Sequence, residues 1–369
     1  MKVICQACGT HTLYDPGQYR CDCGGPWEPA ALQPFVPSQL DANDRSLSRY
    51  TPVFGRTDFD WGVSLGAGCT PLVTADWQGE PVSFKLEYLS PTGSFKDRGT
   101  EVEMALLKAM GIQHVVEDSS GNAGASMAAY AAKAGIQADI YAPASAPQAK
   151  LDQIAVYSAG LHRIPGPRAA ATQSVLAAVA DGAVYASHAY NPAYLLGQLT
   201  FAWELWEQLD GNLPDAILIP VGQGGLFLGA YLGFEHLLQS GIIDRLPHLF
   251  AVQPLVFAPL ATAFSQGLLD DPQLIPSESS LADGVAILTS ARAERVLQGL
   301  RNSMGAVITP TEQEIKQAYF SLAENGLFVE PTAALSAAAI RYTRGMLGSD
   351  ARILAVLTGS GMKTPLLVK

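Results

Sequence analysis

Positive charge is scarce in this chain. Lysine and arginine number 23 against 34 aspartates and glutamates, a formal net charge of −11. Nucleic-acid surfaces and polybasic membrane anchors both need clustered cations, so the balance argues against either partner. It does not argue against a small anion, which a few local donors can hold. Long apolar runs are missing as well: no stretch of about 18 uninterrupted apolar residues offers a membrane span. The start, MKVICQACGT, has no apolar core of the signal-peptide kind, and the chain reads as soluble and cytoplasmic. Charged residues make up only 15% and apolar residues 48%, which excludes the disordered class and implies a sizeable core.

Cysteine is sparse, five residues in 369, yet four fall within the first 23. Cys5 and Cys8 form C-x2-C; Cys21 and Cys23 form C-x-C. Two thiol pairs about a dozen residues apart, each followed by a glycine (Gly9, Gly24), can surround one tetrahedral metal, because the glycines let backbone N–H groups turn toward the sulfurs. A structural zinc in a ribbon-like knuckle is the expectation, and a reduced knuckle without metal is the alternative; disulfides are not expected in a reducing compartment. His11 reads as a bystander and Cys69 as a small buried hydrophobe.

After a proline-rich linker, short apolar runs alternate with amphipathic, alanine-rich stretches over some 250 residues. HVVEDSS, ADIYAPA, LHRIPG, GAVYAS, AILIPVG, LFAVQP and RILAVLTGS read as strands. Helical stretches between them end in Gly or Asp-Gly, and further helices are expected near 311–324 and 332–345. This alternation predicts an α/β fold with mainly parallel sheets. In such sheets ligands bind beyond the carboxyl ends of strands, which directs attention to the loops there.

Three of those loops are rich in Gly, Ser, Thr and Asn. PVGQGGLFLG (220–229) can turn the N–H groups of Gly222, Gln223, Gly224, Gly225 and Leu226 toward a phosphate at a helix start; it is neither a Walker A loop nor a dinucleotide fingerprint. EDSSGNAG (117–124) presents Ser119, Ser120, Gly121 and Asn122, which suit a carboxylate and an amide contact, although capping the next helix is their commoner job. VLTGSGMK (356–363) carries Thr358, whose hydroxyl suits a neutral ring nitrogen or a plain turn. A fourth stretch, SPTGSFKDRGT, places Lys96 at a helix start beside Arg98, where the local positive field favours a neutral, nucleophilic amine. Together these answer one need, a cofactor with an aldehyde, a phosphate, a ring oxygen and a ring nitrogen: pyridoxal phosphate.

At this point a resemblance is plain. GCTPLV followed by PVSFKLEYLSPTGSFKDRG resembles the threonine synthase branch of the fold type II pyridoxal-phosphate enzymes, over roughly residues 65–365, and GLFVEPTAA and LTGSGMK match the end of the same pattern. The resemblance implies that Lys96 is the Schiff-base lysine and Asn122 the contact to the ring oxygen. It implies further that Ser119, Ser120 and Gly121 hold the substrate carboxylate, Gly222–Leu226 the cofactor phosphate, and Thr358 the ring nitrogen. It implies two doubly wound α/β domains behind a zinc-ribbon-like knuckle, with boundaries at 1–35 (knuckle and linker), 36–98 and 186–369 (large domain) and 99–185 (small domain), and a homodimer. A hydroxyl, unlike a carboxylate, does not keep the ring nitrogen protonated, which favours elimination and replacement at Cβ or Cγ over transamination.

Within that branch the expected reaction is O-phosphohomoserine and water to threonine and phosphate, with Lys150 in QAKLDQI as a substrate-phosphate contact. Two segments depart from it. NPAYLLGQ has Tyr194 where the family carries an arginine, and SLADGVAI resembles the dehydratase and racemase branch. A β-replacement synthase of the cysteate or cysteine synthase kind, a dehydratase, ammonia-lyase or racemase, and a noncatalytic binding module are the alternatives.

Overall fold

The computed structural model describes residues 1–146, 148–166, 168–270 and 279–367. Its contacts divide the chain into two units, Met1–Cys69 with Ser90–Thr200, and Thr70–Leu89 with Phe201–Lys369. This partition differs from the sequence-based boundaries. Residues 36–69 go with the segment that carries Lys96, and that unit runs on to Thr200. The hairpin Leu72–Trp77/Glu80–Lys85 belongs to the second unit because Glu80–Lys85 lies parallel to Ile353–Val356, far along the chain.

The first unit contains two sheets. One is a three-stranded antiparallel knuckle of Lys2–Cys5 between His11–Leu13 and Trp27–Pro29. The other is fully parallel, in the order Gly160–Ile164, Gln137–Pro143, His114–Glu117, Val184–Tyr185. The helices Asn122–Ala134, Gln148–Ala155 and Arg168–Ala180 make its crossovers. Asn122–Ala134 is alanine-rich and buried almost all round, from Ala123 to Ala131, because small side chains let it approach both neighbours. Gly135 ends it in the left-handed conformation that glycine tolerates, φ +72°.

The second unit holds a six-stranded sheet, ordered Val307–Ile308, His248–Val252, Ala216–Pro220, Ile353–Val356, Glu80–Lys85, Leu72–Trp77. Five strands are parallel and only the last is antiparallel. Its central strands are buried at every position, as a sheet covered on both faces requires. Lys85 is fully buried, and its ammonium donates to Glu204 Oε1 at 2.5 Å, Thr70 O at 2.5 Å and Gln208 Oε1 at 2.8 Å. Three acceptors, one of them charged, offset the cost of removing that ammonium from water. The helix expected near 332–345 is two helices, Pro331–Ala338 and Ile340–Leu347. Among the described residues no helix is long and apolar enough to cross a membrane.

Candidate active site

Lys96 opens the helix Lys96–Ala109 and is half-buried, its Nζ 4.6 Å from the ring centroid of Phe95. The turn before it is held rigidly. Gly93 takes φ +83°, and the buried Asp97 carboxylate accepts from Thr92 N, Thr92 Oγ1 and Ser126 Oγ, each at 2.6 Å. Three donors compensate the burial of that charge. Because Ser126 lies on Asn122–Ala134, the same carboxylate ties the lysine turn to the helix that begins with Asn122. The Arg98 side chain is fully buried, and its guanidinium donates to Thr200 Oγ1 at 3.3 Å.

The loop Asp118–Gly121 follows the strand His114–Glu117 at its carboxyl end. The helix after it has Gly121 as N-cap, a residue with no side chain to cap the helix. Ser119 Oγ accepts from Gly121 N at 3.3 Å. Gly124 is required: a Cβ built there falls 1.9 Å from the Ser119 carbonyl oxygen. Lys150, buried, lies on Gln148–Ala155, a helix whose Gln153 Nε2 donates to Thr92 O at 3.1 Å, back at the lysine turn. Lys96, Ser119, Ser120, Gly121, Asn122 and Lys150 thus share the first unit.

Behind them lies a group of buried acids that the motifs did not single out. Glu117, the last strand residue, meets His188 with Oε1 2.7 Å from Nδ1, both side chains buried. Glu117 Oε2 and both carboxylate oxygens of Glu103 have no hydrogen-bond partner among the described residues. Burial, with Glu117 nearby, pushes the Glu103 carboxyl well above the usual range. Burial and then Asp118 do the same for Glu117, against the pull of Lys96 and Arg168. His188 is driven well below its ordinary value by burial first and by the cations Lys96 and Arg168, with Asp118 opposing. An imidazole kept neutral in this way contributes stability above its unfolded pKa of about 6.5, and that contribution is lost as the pH falls below it. The Tyr194 ring stands edge-on to His188 at 6.2 Å and packs on the lysine helix so closely that a Cβ on Gly99 would fall 2.5 Å from it.

The second unit supplies the other predicted residues. Ala216–Pro220 and Ile353–Val356 are adjacent parallel strands in register, Ala216 opposite Ile353, so the loops after them emerge at one sheet edge. The first is the glycine loop: Gly224 is the N-cap of Gly225–Gln239 at φ +81°, again with no side-chain capping bond. A Cβ on Gly224 would meet Val296 Cγ2 at 2.5 Å, and one on Gly222 would meet Val285 Cα at 3.1 Å. The LADG segment, whose Asp283–Val285 forms a short 3-10 helix, therefore packs directly against the glycine loop. Gln223 is engaged on both sides, its carbonyl by Ser290 Oγ at 2.9 Å and its side-chain oxygen by Ala291 N at 3.3 Å. Leu226 is buried in the helix that follows.

The second loop carries Thr358, 2% exposed, whose Oγ1 has no hydrogen-bond partner among the described residues. A buried, unpartnered hydroxyl costs about 1–3 kcal/mol, so its presence fits a group that completes it on binding. A pyridine nitrogen does so. Each of the two helix starts, with its leading N–H groups outside the helix's own bonding, suits an anionic group. The residues present fit pyridoxal phosphate. Sequence reasoning also passed over Glu330, buried, whose Oε1 would lie 2.2 Å from a Cβ on Gly359, next to Thr358.

The knuckle brings its four cysteine sulfurs within 4.8 Å of one another, with Cys5–Cys23 at 3.4 Å and Cys8–Cys21 at 3.6 Å. A tetrahedron with metal–sulfur bonds of about 2.3 Å has edges of about 3.8 Å, so the cluster fits zinc closely. Gly9 and Gly24 take φ +73° and +92°, the backward turns their type allows. The knuckle also touches the residues around the buried acids. Tyr14 Oη accepts from Asn191 Nδ2 at 2.9 Å, and the Tyr19 ring lies 5.2 Å from Tyr185 and 5.4 Å from Tyr190.

A family model described as pyridoxal-phosphate dependent enzyme matches residues 63–359. The threonine synthase of Synechocystis sp. is 34% identical over 90% of this chain and 87% of its own. That of Methanocaldococcus jannaschii is 30% identical over 98% of this chain and 92% of its own. Among solved structures, the T.th. threonine deaminase superposes with a TM-score of 0.70 at 25% identity, covering 81% of this chain and 94% of that one. Serine racemase from Dictyostelium discoideum gives 0.67 at 26%, covering 80% and 93%.

Proposed function

The chain belongs to the pyridoxal-phosphate dependent enzyme family, and from that membership we propose a lyase that acts on an amino acid by elimination and replacement at Cβ or Cγ, with threonine synthase chemistry, O-phosphohomoserine and water to threonine and phosphate, as its reaction. The observation that carries the reaction type is the buried, unpartnered hydroxyl of Thr358. When bound, the cofactor supplies an electron sink for charge developing at the substrate Cα. A hydroxyl at the ring nitrogen limits that sink and directs the charge toward expelling a side-chain substituent.

The chain's own residues do the rest. Lys96 would hold the cofactor through its amine and, as the free amine, would take the Cα proton. Asn122 donates to the ring oxygen. Ser119, Ser120 and Gly121 hold the substrate carboxylate at a helix start, and the N–H groups of Gly222, Gln223, Gly224, Gly225 and Leu226 hold the cofactor phosphate at another. Lys150 faces the phosphate of the substrate. The enzyme works in the cytoplasm as a homodimer, on a small amino acid, without nucleic-acid or membrane partners. Incubation with O-phosphohomoserine is expected to release phosphate and threonine in equal amounts.

Tyr194 favours a second reading. It is fully buried, burial being the first cause that raises its pKa, and such surroundings put no cation where the family's arginine would hold a phosphate. A dehydratase or ammonia-lyase acting on an unphosphorylated hydroxy or amino side chain would suit them. Ammonia and a keto acid from serine or threonine, with no phosphate from O-phosphohomoserine, would favour that reading over the first.

Cys5, Cys8, Cys21 and Cys23 hold one structural zinc. Elemental analysis of the purified protein is expected to give about one zinc per chain, and Cys8→Ser to lower it severalfold. Zinc absent from protein purified without chelator would exclude this role.

A further inference from the structure

The reaction proposed above moves protons on carbon, from Cα and Cβ and onto Cγ, and protons on oxygen, at the departing substituent and at the water that adds at Cβ. Lys96 serves the Cα hydrogen. A second group can supply a proton to the departing substituent and accept one from the water that adds at Cβ, the oxygen-side transfers that Lys96, engaged at carbon, does not serve. The first unit contains a pair built for this. His188 Nδ1 and Glu117 Oε1 are 2.7 Å apart, and Glu117 is the strand residue two before Ser119, so the pair lies at the root of the loop that takes the substrate carboxylate. His188 stands edge-on to Tyr194, whose ring covers Gly99, one helical turn after Lys96. Nδ1 is taken up by Glu117, while Nε2 has no hydrogen-bond partner among the described residues.

We propose that His188, backed by Glu117, is the residue that passes a proton to the substituent leaving the substrate side chain and takes one back from the incoming water. This inference rests on the lyase reading of the preceding subsection. The step balances. As the carbon–substituent bond breaks, the substituent leaves with the electron pair and takes the Nε2 proton. The Glu117 carboxyl proton moves to Nδ1, leaving a carboxylate. When water adds, its oxygen forms the new bond to Cβ, the carbon beside the one the substituent left, its proton goes to Nε2, and the Nδ1 proton returns to Glu117. No oxidant or other reactant is needed.

The charged and titratable groups around the imidazole support the required starting state. Burial, and next Asp118, raise the Glu117 pKa and favour its acid form, while burial, with Lys96 and Arg168, lowers that of His188 and favours the neutral ring, Asp118 opposing. A neutral imidazole that accepts at Nδ1 presents a donor at Nε2. Tyr194 closes the edge of the ring with apolar carbon and brings no competing charge.

The test uses His188→Gln, whose amide reaches toward the Nε2 position but does not titrate, and Glu117→Gln. Two rates are read by proton NMR in D2O: exchange of the substrate Cα hydrogen, and release of the side-chain substituent. The probes are O-phosphohomoserine, O-phosphoserine, L-serine and L-threonine. With a probe from which the unaltered enzyme releases its substituent, His188→Gln is expected to slow release by about 10²-fold or more, the usual share of a general acid or base. Cα exchange and the cofactor absorbance are expected to stay within a few fold. Glu117→Gln, which keeps the shape and loses the transferable proton, is expected to slow release in the same selective way. Release that survives in His188→Gln, or exchange that falls in step with it, would overturn the role. If the unaltered enzyme released a substituent from none of the four probes, the lyase reading would fail and this inference with it.

Discussion

Lys96→Ala is expected to give a folded protein with no measurable turnover. The loss should exceed about 10³-fold, because one substitution removes both the covalent anchor of the cofactor and the base at Cα. The fold should survive: Lys96 is half-buried at a helix start, and its ammonium stands over the Phe95 ring, an interaction of about 0.5–1 kcal/mol at partly exposed sites. The groups that hold the turn, Asp97 with Thr92 and Ser126, are untouched. Absorption spectra of the purified variant with added pyridoxal phosphate should lack the visible band of the lysine-bound cofactor, while circular dichroism remains that of the unaltered protein. A retained band or retained turnover would show that another amine carries the cofactor.

Gly124→Ala is the second large effect expected, and its sign is opposite to the usual one. Inside a helix, replacing glycine by alanine ordinarily stabilises by about 0.5–1 kcal/mol. At Gly124 the new Cβ meets the Ser119 carbonyl oxygen at 1.9 Å and Ile140 Cγ2 at 3.2 Å. The first neighbour is backbone, in the loop that presents Ser119, Ser120 and Gly121, so it yields only by moving that loop. Overpacking of this kind costs about 1–3 kcal/mol. Denaturant curves should show the loss, and KM should rise by about tenfold or more while the cofactor stays bound. Gly345→Ala is the control: nothing lies within 4 Å of its Cβ, on an outer helix, and that variant should be neutral or slightly more stable. Equal stability of the two variants would remove the contact from the account.

The parts of the proposed site that the sequence offers are those carried by local chemistry. Lys96 follows a Pro-Thr-Gly turn. The loops 117–124 and 220–229 are glycine-rich breaks between an apolar strand and a helix, and Thr358 follows the last apolar run. Each is a signal contained within about a dozen residues. The dyad of Glu117 and His188 is not of this kind, since the two are 71 residues apart. They meet because His114–Glu117 and Val184–Tyr185 are sheet neighbours, Val116 opposite Tyr185, and no local pattern states which parallel strands adjoin. The helix Pro192–Gln208 was also missed. It is buried on every side from Ala193 to Leu205, and a helix with no solvent face shows no 3.6-residue alternation.

The unpartnered hydroxyl of Thr358 has a consequence for the life of the protein in a cell. A polar atom sealed from water and left without a partner weakens the empty fold by about 1–3 kcal/mol, and cofactor that binds only the folded chain adds stability in proportion to the logarithm of its free concentration. A shift of that size changes steady-state abundance severalfold when proteases remove the unfolded fraction. With Thr358 completed by the cofactor as proposed, the half-life of the chain is expected to shorten in cells short of pyridoxal phosphate and to recover when the vitamin returns, which pulse-chase labelling would read.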